Sequence, residues 1–562
     1  MTILLLSSIS CIIPSSVTAQ GTGGTVSFDG DYHVIEVPDS VGGGFEPHIL
    51  AAPGIDGTEW IYIDSPTGLG SGQSGNLYVS KDHGETWEYK TKGLNGGAPL
   101  GSGDSYTAVT ADGTIYFTDL WLLTATVDTS NDGGNTWVRN GQASVTPIDD
   151  RQWFGLGPVI GGSPIHQPQA LYLQYNQIPG GLYLMKSQVT KWGWGWRPCN
   201  AYRPIATVTG SRDNFVVDPR DGTIYMPNSE GNTLYMYVST NGCQSFDRYQ
   251  VMQSDKDFQS IFVIPDLDAA GNVYLGYSTE DNVSMARSTD KGQTWDVFNV
   301  TTTPGSRVLP WLTAGDAGRV ALCYYETNAT GMHPDEYDTN VSWSVWSAIT
   351  IDALAAQPNF TFQMVLNYTH SGSIRTSGVS GNADRDLGDY MSDDMDQYGR
   401  HILTFGYDGN DGVGTYDAKV MYAVQRHGPF LKKGVGPVAN FTYRTDGKTV
   451  YVDGSRSYDM SGEGLSNFEW TWGDDNNDTG LASLDHIYKK GGKYNITLKV
   501  TNKIDMQASY SVMVEIEVSG GMTIAPGLGI VALVIIVALI VTFVFRKKIK
   551  GLFGRKDGVT NK

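Results

Sequence analysis

The chain has 562 residues, with 59 acidic and 39 basic side chains and a formal net charge of −20 at pH 7. A strongly acidic surface repels phosphate backbones, which excludes nucleic acid as the expected partner. Four cysteines in the whole chain are too few for a disulfide-stabilised scaffold.

The N-terminus carries a short apolar run, 3–13, followed by small residues at 17–19. This arrangement is typical of a secretory signal peptide, which we predict over residues 1–19. No Lys or Arg precedes the run, so a mis-assigned start is the alternative. Cleavage would remove Cys11 from the mature chain.

Short alternating runs such as 60–63 and 114–117 lie between Gly, Asp and Asn turns, which predicts an all-β region over residues 26–430. Within it, the pattern Ser-x-Asp-x-Gly-x-Thr-Trp begins at Ser80, Ser130 and Ser288. A degraded copy begins at Ser239 and a faint one at Ser187. Neighbouring copies are about 50 residues apart, the length of one four-stranded blade of a β-propeller.

This pattern resembles the Asp-box, or BNR, repeat of sialidase-like propellers. The resemblance implies a sialidase-like fold. It also implies a structural role for the conserved positions of the pattern, since Asp accepts hydrogen bonds from turn amides and Trp packs between sheets. The residues concerned are Asp82, Trp87, Asp132, Trp137, Asp290 and Trp295.

An inner strand and a turn precede each repeat. The predicted strand starts are Glu46, Asp104, Asp150, Arg212, Asp257, Arg307 and Asp389. They indicate seven blades, and six, the number usual in sialidases, is the alternative. The last unit lacks a fourth strand. We predict that residues 26–37 supply it by pairing with residues 419–425, because this closure would leave no free sheet edge.

The starts of the inner strands of a propeller meet at one mouth of its central channel, where binding sites concentrate. Arginines and carboxylates together there suit a sugar acid, held by bidentate contacts. The alternative is that these charges pair with one another and fix the channel. The ligand-binding candidates are Glu46, Asp104, Arg151, Arg212, Asp213, Asp257 and Arg307, and the catalytic candidates are Asp150, Asp389 and Tyr390.

The resemblance allows a test of sialidase activity. Catalytic sialidases carry an Arg-Ile-Pro motif on the first strand, whereas residues 45–48 of this chain read Phe-Glu-Pro-His. Four arginines are available near strand starts, but none lies in a recognisable sialidase motif: Arg151, Arg212, Arg307 and Arg385. The sequence therefore does not support sialidase activity. Another glycosidase, which would need two opposed carboxylates, stays an alternative.

Three further patterns were weighed as sites. Trp192, Trp194 and Trp196 would share one face of a strand and stack on sugars, but we favour packing within a blade. Two acidic loops, 408–412 and 474–478, offer oxygen ligands for Ca²⁺, although neither matches a full calcium-loop pattern. No Cys/His spacing typical of a metal site is present, so we predict no resident metal or cofactor.

The mature chain keeps three cysteines. Cys199 and Cys243 fall in neighbouring blades and are the pair able to form a disulfide, which would leave Cys323 as a buried thiol. Asn-x-Ser/Thr sequons fit an exported, glycosylated surface. They lie at Asn282, Asn299, Asn328, Asn340, Asn359, Asn367, Asn440, Asn477 and Asn495.

Residues 437–518 have a different character. Residues 452–455 read Val-Asp-Gly-Ser, residues 470–474 read Trp-Thr-Trp-Gly-Asp, and residues 497–502 read Thr-Leu-Lys-Val-Thr-Asn. These motifs resemble the PKD domain, a β-sandwich of surface proteins, and depart from it at Asp475, where the family usually has Gly. The resemblance implies a spacer or a weakly adhesive module.

Residues 524–545 contain no charged side chain and are long enough, as a helix, to cross a hydrocarbon core of about 30 Å. A cluster of Lys and Arg begins at Arg546, and such clusters mark the cytoplasmic side. We therefore predict one transmembrane helix at the cell membrane, a cytoplasmic tail over residues 546–562, and an extracellular location for everything before the helix.

Together these features predict a membrane-anchored extracellular propeller that binds glycans or other surface polymers, with the PKD domain as its stalk. Two alternatives stay open: a glycoside hydrolase of sialidase-like fold with an altered active site, and a structural protein of the cell envelope.

Overall fold

The computed structural model describes residues 25–26, 32–37, 45–68, 74–91, 103–121, 124–140, 143–144, 148–158, 169–177, 181–187, 196–199, 213–256, 258, 262–279, 282–376, 385–408, 418–461, 463–516 and 523–524. Two compact units divide between Val435 and Gly436. The predicted signal peptide lies outside the described residues.

The first unit is almost entirely β. Its first two strands are β1 (Thr25–Val26) and β2 (Tyr32–Glu36). A four-stranded sheet follows, with β3–β6 at His48–Pro53, Glu59–Ser65, Asn76–Ser80 and Glu88–Tyr89. The next two sheets are β7–β10 at Ser105–Val109, Ile115–Trp121, Thr124–Ser130 and Val138–Asn140, and β11–β14 at Asp149–Pro158, Gln169–Gln177, Gly181–Ser187 and Trp196–Pro198.

Four more sheets complete this unit within the described residues. Two are β15–β18 at Val216–Val217, Ile224–Glu230, Thr233–Ser239 and Asp247–Gln253, and β19–β22 at Ile264–Leu267, Val273–Thr279, Asn282–Ser288 and Asp296–Asn299. Another is β23–β26 at Ser306–Ala314, Val320–Thr327, Ser342–Thr350 and Thr361–Ser371, with a 3-10 turn at Pro334–Glu336. The last contains β27–β29 at Ser392–Met395, His401–Tyr407 and Lys419–Gln425.

The first strands of these sheets form a closed ring. Each lies beside the first strand of the next sheet, in the order β3, β7, β11, β15, β19, β23, β27 and back to β3. This radial arrangement of antiparallel sheets around a central channel is a β-propeller.

The N-terminal strand closes the ring as predicted. In antiparallel register, β2 pairs with β29, and Val34 lies opposite Ala423. The prediction of one strand over residues 26–37 was too long, because β1 folds back and pairs with β2 as a fifth strand. Tyr32 ties the closing strand to the interior, since its hydroxyl lies 2.7 Å from His401 Nδ1.

The fifth inner strand begins later than predicted. It starts at Ile264, and Phe258 forms only an isolated bridge with Thr279. The polar residues before Phe258 suit a turn, whereas the apolar run 262–264 suits the buried channel wall. Asp257 itself lies outside the described residues.

The recurring Ser-x-Asp turns have a shared set of hydrogen bonds. In the first, Ser80 Oγ donates to Asp82 (2.9 Å), and the amides of Gly84 and Thr86 donate to Ser80 Oγ and Asp82 Oδ1, both at 2.8 Å. Trp87 Nε1 donates to the Gly84 carbonyl at 3.0 Å. The same bonds recur within residues 130–137 and 288–295. These side chains therefore serve their own turns.

One disulfide links neighbouring sheets. Cys199 is bonded to Cys243, and Cys323 is a buried free thiol. Both parts of the cysteine prediction are confirmed.

The second unit is a two-sheet sandwich. Its strands are β30–β39 at Pro437–Val438, Thr442–Asp446, Thr449–Asp453, Tyr458–Asp459, Leu465–Thr471, Asn477–Thr479, Ser483–Ile487, Gly492–Asn502, Gln507–Ile516 and Thr523–Ile524. The main sheets have the orders β36-β32-β31-β39 and β35-β34-β37-β38, and β30 pairs with β33. Trp470 and Trp472 are fully buried in the core.

The segment predicted to span a membrane is described at its first residue alone. Ile524 lies in β39, paired with Arg444, so a helix beginning at Ile524 was wrong by at least that residue. Residues 525–562 lie outside the described part of the chain. Among the residues described, no helix has the length and apolar character needed to cross a membrane.

Candidate functional site

The predicted mouth of the channel is filled by five charged side chains, here called the ion-pair cluster: Glu46, Asp104, Arg151, Arg385 and Asp389. Arg151 Nη2 donates to Glu46 and lies 2.9 Å from Asp104 Oδ1. Arg385 Nη2 lies 3.3 Å from Glu46 Oε1 and 2.9 Å from Asp389 Oδ1. The Arg151 and Glu46 side chains are only 2% and 1% exposed. These charges therefore pair with each other.

Strained backbone holds the ion-pair cluster. Glu46 and Arg151 have φ values of 52° and 47°, in the left-handed region that residues other than Gly seldom occupy. The register of β11 against β12 shifts between Asp150 and Gln152. This bulge leaves Arg151 out of the regular alternation and re-aims its side chain.

Burial and neighbouring charges shift the pKa values of two members of the ion-pair cluster, Glu46 and Arg151. Burial raises the pKa of Glu46 to about 8 although Arg151 opposes it, and Asp389 and Asp104 add to the rise. Burial alone would lower the pKa of Arg151, but Asp104 and Glu46 outweigh it and raise that pKa further. The cluster thus favours the charged form of Arg151 and the protonated form of Glu46.

Aromatic rings pack against the cluster from within the channel. The guanidinium carbon of Arg151 lies 5.2, 5.2 and 4.9 Å from the ring centroids of Trp153, Phe262 and Tyr390. Burial raises the pKa of Tyr390 well above its usual value. A tyrosine nucleophile needs the opposite shift, so the packing does not activate this catalytic candidate.

Three of the ligand-binding candidates tie neighbouring inner strands together. Each carboxylate accepts a backbone N–H from the next strand segment around the ring. Glu46 accepts from Asp389 at 3.1 Å, Asp104 from Arg151 at 3.0 Å, and Asp213 from Val263 at 2.7 Å. These carboxylates therefore have structural contacts at the positions where a ligand was expected.

The remaining candidates do not join the ion-pair cluster. Arg307 Nε lies 2.9 Å from Glu326 Oε2, and its Nη1 donates to the Thr303 carbonyl at 2.8 Å. Asp150 is half-buried on β11. Arg212, Trp192 and Trp194 lie outside the described residues, as does the side chain of Trp196.

A serine–histidine–aspartate arrangement occurs elsewhere in the propeller. Ser347 Oγ lies 3.0 Å from His401 Nδ1, and His401 Nε2 lies 2.9 Å from Asp393 Oδ2. The side chains of His401 and Asp393 are both 0% exposed to solvent. The arrangement belongs to the contacts that hold the closing strand β2.

A cavity that the sequence did not predict lies further along the inner strands. This central cavity has a volume of about 230 Å³. Its lining includes the rings of Tyr106, Phe154, Phe215 and Trp311, and the polar side chains of His48, Asn214, Asp266, Thr313 and Asp394. Ligand pockets are commonly larger, about 300–1,000 Å³, so this one suits a small group such as one sugar ring.

Two carboxyl groups, those of Asp266 and Asp394, line the central cavity. Asp266 Oδ2 accepts the Ala314 N–H and Asp394 Oδ2 accepts the Ala51 N–H, both at 2.7 Å. Burial raises the pKa of Asp266 to about 7 and that of Asp394 to about 8. Both keep some solvent exposure, which places them at the accessible part of the cavity.

A histidine completes the polar lining. His48 Nδ1 lies 3.0 Å from Asp64 Oδ2, and the ring stacks on Tyr106 with centroids 3.8 Å apart. Among the described residues, the hydrogen bond found for this ring is the one at Nδ1. The sequence did contain a signal for this site, namely the acidic residues Asp266 and Asp394 within inner strands. Acidic side chains are rarely buried unless they have a partner.

One group of side chains has metal-ligand geometry. Ligand atoms of Glu59, His83 and Asp396 lie within 4.8 Å of one another. Asp396 already lies 2.6 Å from Arg400 Nε, which supplies positive charge there. In the two acidic loops, Asp408 lies 2.6 Å from His370 Nδ1 and Asp474 lies 3.0 Å from His486 Nε2; solvated turns stay the prediction there, with calcium as the weaker alternative.

The glycosylation candidates lie where an enzyme could reach most of them. Seven sequon asparagines are exposed: Asn299, Asn328, Asn340, Asn359, Asn367, Asn477 and Asn495. Asn282 and Asn440 are half-buried.

Comparisons with known proteins add a family for the second unit. The PKD1 domain of Vibrio anguillarum Epp is 25% identical, covering 16% of this chain and 100% of that domain, with a TM-score of 0.15. A protein of unknown function from Dyadobacter fermentans DSM 18053 is 13% identical, covering 72% of this chain and 99% of its own, with a TM-score of 0.35.

Aleuria aurantia lectin, solved with alpha-methyl-L-fucoside, is 10% identical, covering 60% of this chain and 99% of the lectin, with a TM-score of 0.35. At these scores the structural likenesses carry no argument about a ligand. The sequence of residues 435–518 matches the family described as the PKD domain. This segment of the chain is therefore a PKD domain.

Proposed function

We propose that this chain is a membrane-anchored extracellular protein whose propeller binds glycans in its central cavity. The observation that carries the proposal is the lining of that cavity, where aromatic rings alternate with carboxyl, amide and imidazole groups. Sugar rings present apolar C–H faces and polar hydroxyls, and this lining offers a partner for each.

The ion-pair cluster disfavours the hydrolase alternative. The catalytic candidates Asp389 and Tyr390 are both nearly fully buried, the first paired with Arg385 and the second packed among rings. A hydrolase needs two carboxyl groups open to its substrate and flanking one bond. Among the described residues of that mouth, Asp389 and Tyr390 are not open to a substrate in this way.

The same proposal covers the number of blades, the role of the PKD domain and the membrane anchor. We take the seven sheets as seven blades of a sialidase-like propeller with Asp-box turns, and the PKD domain as a stalk. The signal peptide over residues 1–19, the helix within residues 524–545 and the basic tail after Arg546 rest on the sequence pattern.

A glycan array tests the binding. Full-length protein in detergent is expected to bind a limited set of glycans, and Trp311→Leu is expected to weaken binding about tenfold or more by removing a stacking ring. Trp346→Leu, on a strand away from the central cavity, is the matched control. Binding to no glycan would overturn the proposal. Turnover of chromogenic glycosides that is abolished by Asp150→Asn or Asp389→Asn would replace it with the hydrolase.

Protease protection tests the anchor. In sealed, right-side-out membrane vesicles, external protease should remove the propeller and spare an epitope placed after Lys562. Termination of the chain at Ser519 should release the protein into the medium. Loss of the C-terminal epitope to external protease would contradict the proposed topology.

A further inference from the structure

The central cavity is rich in carboxyl groups and has no cation of its own. Among its described lining residues the ionisable side chains are His48, Tyr106 and three aspartates, and neither Lys nor Arg is present. One aspartate, Asp393, is engaged with His401 outside the cavity. The other two, Asp266 and Asp394, accept hydrogen bonds from neutral groups.

The carboxyls of the central cavity and those of the ion-pair cluster differ in whether a cationic side chain lies beside them. In the ion-pair cluster every carboxylate has an arginine within 4.0 Å. Asp393 acts by charge on Asp266, and Asp266 and Glu59 act by charge on Asp394; all of these are carboxyls. A positively charged group on a ligand would give Asp266 and Asp394 the cationic partner that the lining of the cavity does not provide.

A bare metal ion does not fit this arrangement. Within the described residues, the oxygen and nitrogen atoms of Asp266, Asp394 and His48 do not come within 4.8 Å of one another as a group. A metal needs its ligands closer, at about 2.0–2.6 Å from one centre. An ammonium group makes hydrogen bonds of about 2.7–2.9 Å to carboxylates and needs no third protein ligand at the same centre.

The aromatic lining suits such a cation. Trp311 and Tyr106 line the cavity together with the two carboxyls, and ring faces attract ammonium groups that lie within about 6 Å. His48 is 5% exposed, and its Nε2 is able to form a hydrogen bond with a ligand hydroxyl. Carboxyls, rings and an imidazole thus surround one space.

We infer that the central cavity selects an amino sugar, a glycan residue with a free ammonium group that Asp266 and Asp394 receive between them. The ring of this sugar packs on Trp311, and a hydroxyl meets His48. The inference rests on the proposed function and narrows its ligand to one chemical class.

Binding of an ammonium group in the central cavity should depend on pH. The pKa values of Asp266 and Asp394, raised to about 7 and about 8, mean that the two carboxyls become protonated as the pH falls from about 8 to about 6. An ammonium group stays charged over that range, so its binding weakens with acid because the carboxyls lose their charge. The other charged or titratable groups near the two carboxyls are Asp393, Glu59 and the His48–Asp64 pair.

The test compares two ligands that differ in one group. Binding of a glucosamine tetramer and of its N-acetylated counterpart to the full-length protein is measured by calorimetry at pH 7.5 and pH 5.5. We expect the amine form to bind at least about tenfold more tightly at pH 7.5, the ratio expected from one hydrogen bond to a charged group. The preference should shrink at pH 5.5.

Variants separate the cavity from the bulk charge of the protein. Asp266→Asn and Asp394→Asn keep an oxygen for the backbone N–H and should each reduce the preference for the amine form severalfold. Asp247→Asn makes the same change at an exposed position and should leave it unaltered. The preference should also persist in about 0.5 M salt, which screens exposed charges more than buried ones.

Equal binding of the two tetramers, or an equal effect of Asp247→Asn, would overturn the inference, even if a variant of the cavity fails to fold. Binding of neutral glycans without any preference for amines would overturn the inference and leave the proposed function standing. Binding of no glycan at all would overturn both.

Discussion

Arg151 is the residue on which the closed mouth of the channel depends. It lies among Glu46, Asp104 and Asp389 and is 2% exposed. Buried ion pairs add little net stability, but removal of one partner leaves uncompensated charge in a medium of low dielectric constant. Removal of the Arg151 side chain should therefore destabilise the folded propeller, although the ion pairs themselves add little net stability.

The first prediction concerns this arginine. Arg151→Met should lower the free energy of unfolding of the propeller by about 3–5 kcal/mol, measured by urea denaturation. Glu46→Gln in the same variant should recover part of the loss, because it removes one unpaired carboxyl. Arg248→Met, which breaks a partly exposed pair with Glu230, should cost less than about 1 kcal/mol. Equal losses from the two Arg→Met changes would contradict this account.

A second prediction at the residue scale concerns pH. Because burial raises the pKa of Asp394 from an ordinary 3.8 to about 8, the folded state binds the proton more tightly than the unfolded chain. Its contribution to stability is therefore complete below about pH 4 and is lost as the pH rises toward 8. Asp394→Asn should make the melting temperature of the propeller fall less between pH 5 and pH 9.

The expected difference is on the order of 1 kcal/mol, since solvent reaches this carboxyl and screens it. Asp247→Asn, at an exposed position, is the control and should leave the pH profile parallel to the wild type. Parallel profiles for Asp394→Asn as well would show that the carboxyl titrates normally in the folded protein.

At the scale of elements, β2 decides whether the ring is closed. It supplies a strand from the N-terminal end to a sheet whose other members come from the C-terminal end of the propeller. Tyr32 and Val34 of this strand are fully buried, and the Tyr32 hydroxyl contacts His401. Closure between chain ends that are far apart in sequence removes two free sheet edges at once.

The third prediction tests this closure. Val34→Asp should destabilise the propeller by at least about 2 kcal/mol, because a carboxylate at this buried position has no cation to pair with. Limited proteolysis should then cut near β29 at lower protease concentrations. Glu36→Gln on the same strand removes only a surface pair with Lys419 and should cost less than about 1 kcal/mol. Similar resistance of both variants would argue against closure by β2.

At the scale of the whole molecule, two hydrophobic cores divide the chain. The PKD domain has a core of its own around Trp470 and Trp472, separate from the clusters of the propeller. Each unit thus buries enough apolar surface to unfold as one cooperative transition.

The fourth prediction follows from these separate cores. Trp470→Ala should lower the stability of the PKD domain by about 3–5 kcal/mol by leaving a cavity. In calorimetry one of two transitions should move to lower temperature while the propeller transition stays in place. Tyr458→Ala, at a side chain 53% exposed, is the control. A joint shift of both transitions would contradict independent cores.

The sequence predicted several long-range features. Repeated turn residues indicated the four-stranded sheets, because local hydrogen bonds such as Ser80 to Asp82 use side chains close in sequence. Counting inner strands also identified β2 as the strand that pairs with β29. The PKD domain was recognisable because its motifs lie within one continuous segment. The start of β19 was missed, since polar and apolar runs both lie near Asp257.

The candidate site was predicted less well, for a physical reason. Charge at a strand start shows that a carboxylate is near the channel, but not which cation it meets. Glu46 and Asp389 are far apart in sequence, yet the ring brings them to Arg151. The central cavity has the same origin, since Asp266 and Asp394 come from strands in different sheets.

The sequence by itself thus determined the repeats, the closing strand and the cysteine pair, together with the acidic character of the chain. These depend on local turns, on alternation along single strands and on composition. Only the tertiary structure decided that the charged mouth is filled by its own ion pairs and that an aromatic and acidic cavity lies further along the channel. Both depend on which side chains meet across the ring, and burial then fixes whether a charge is paired, protonated or left for a ligand.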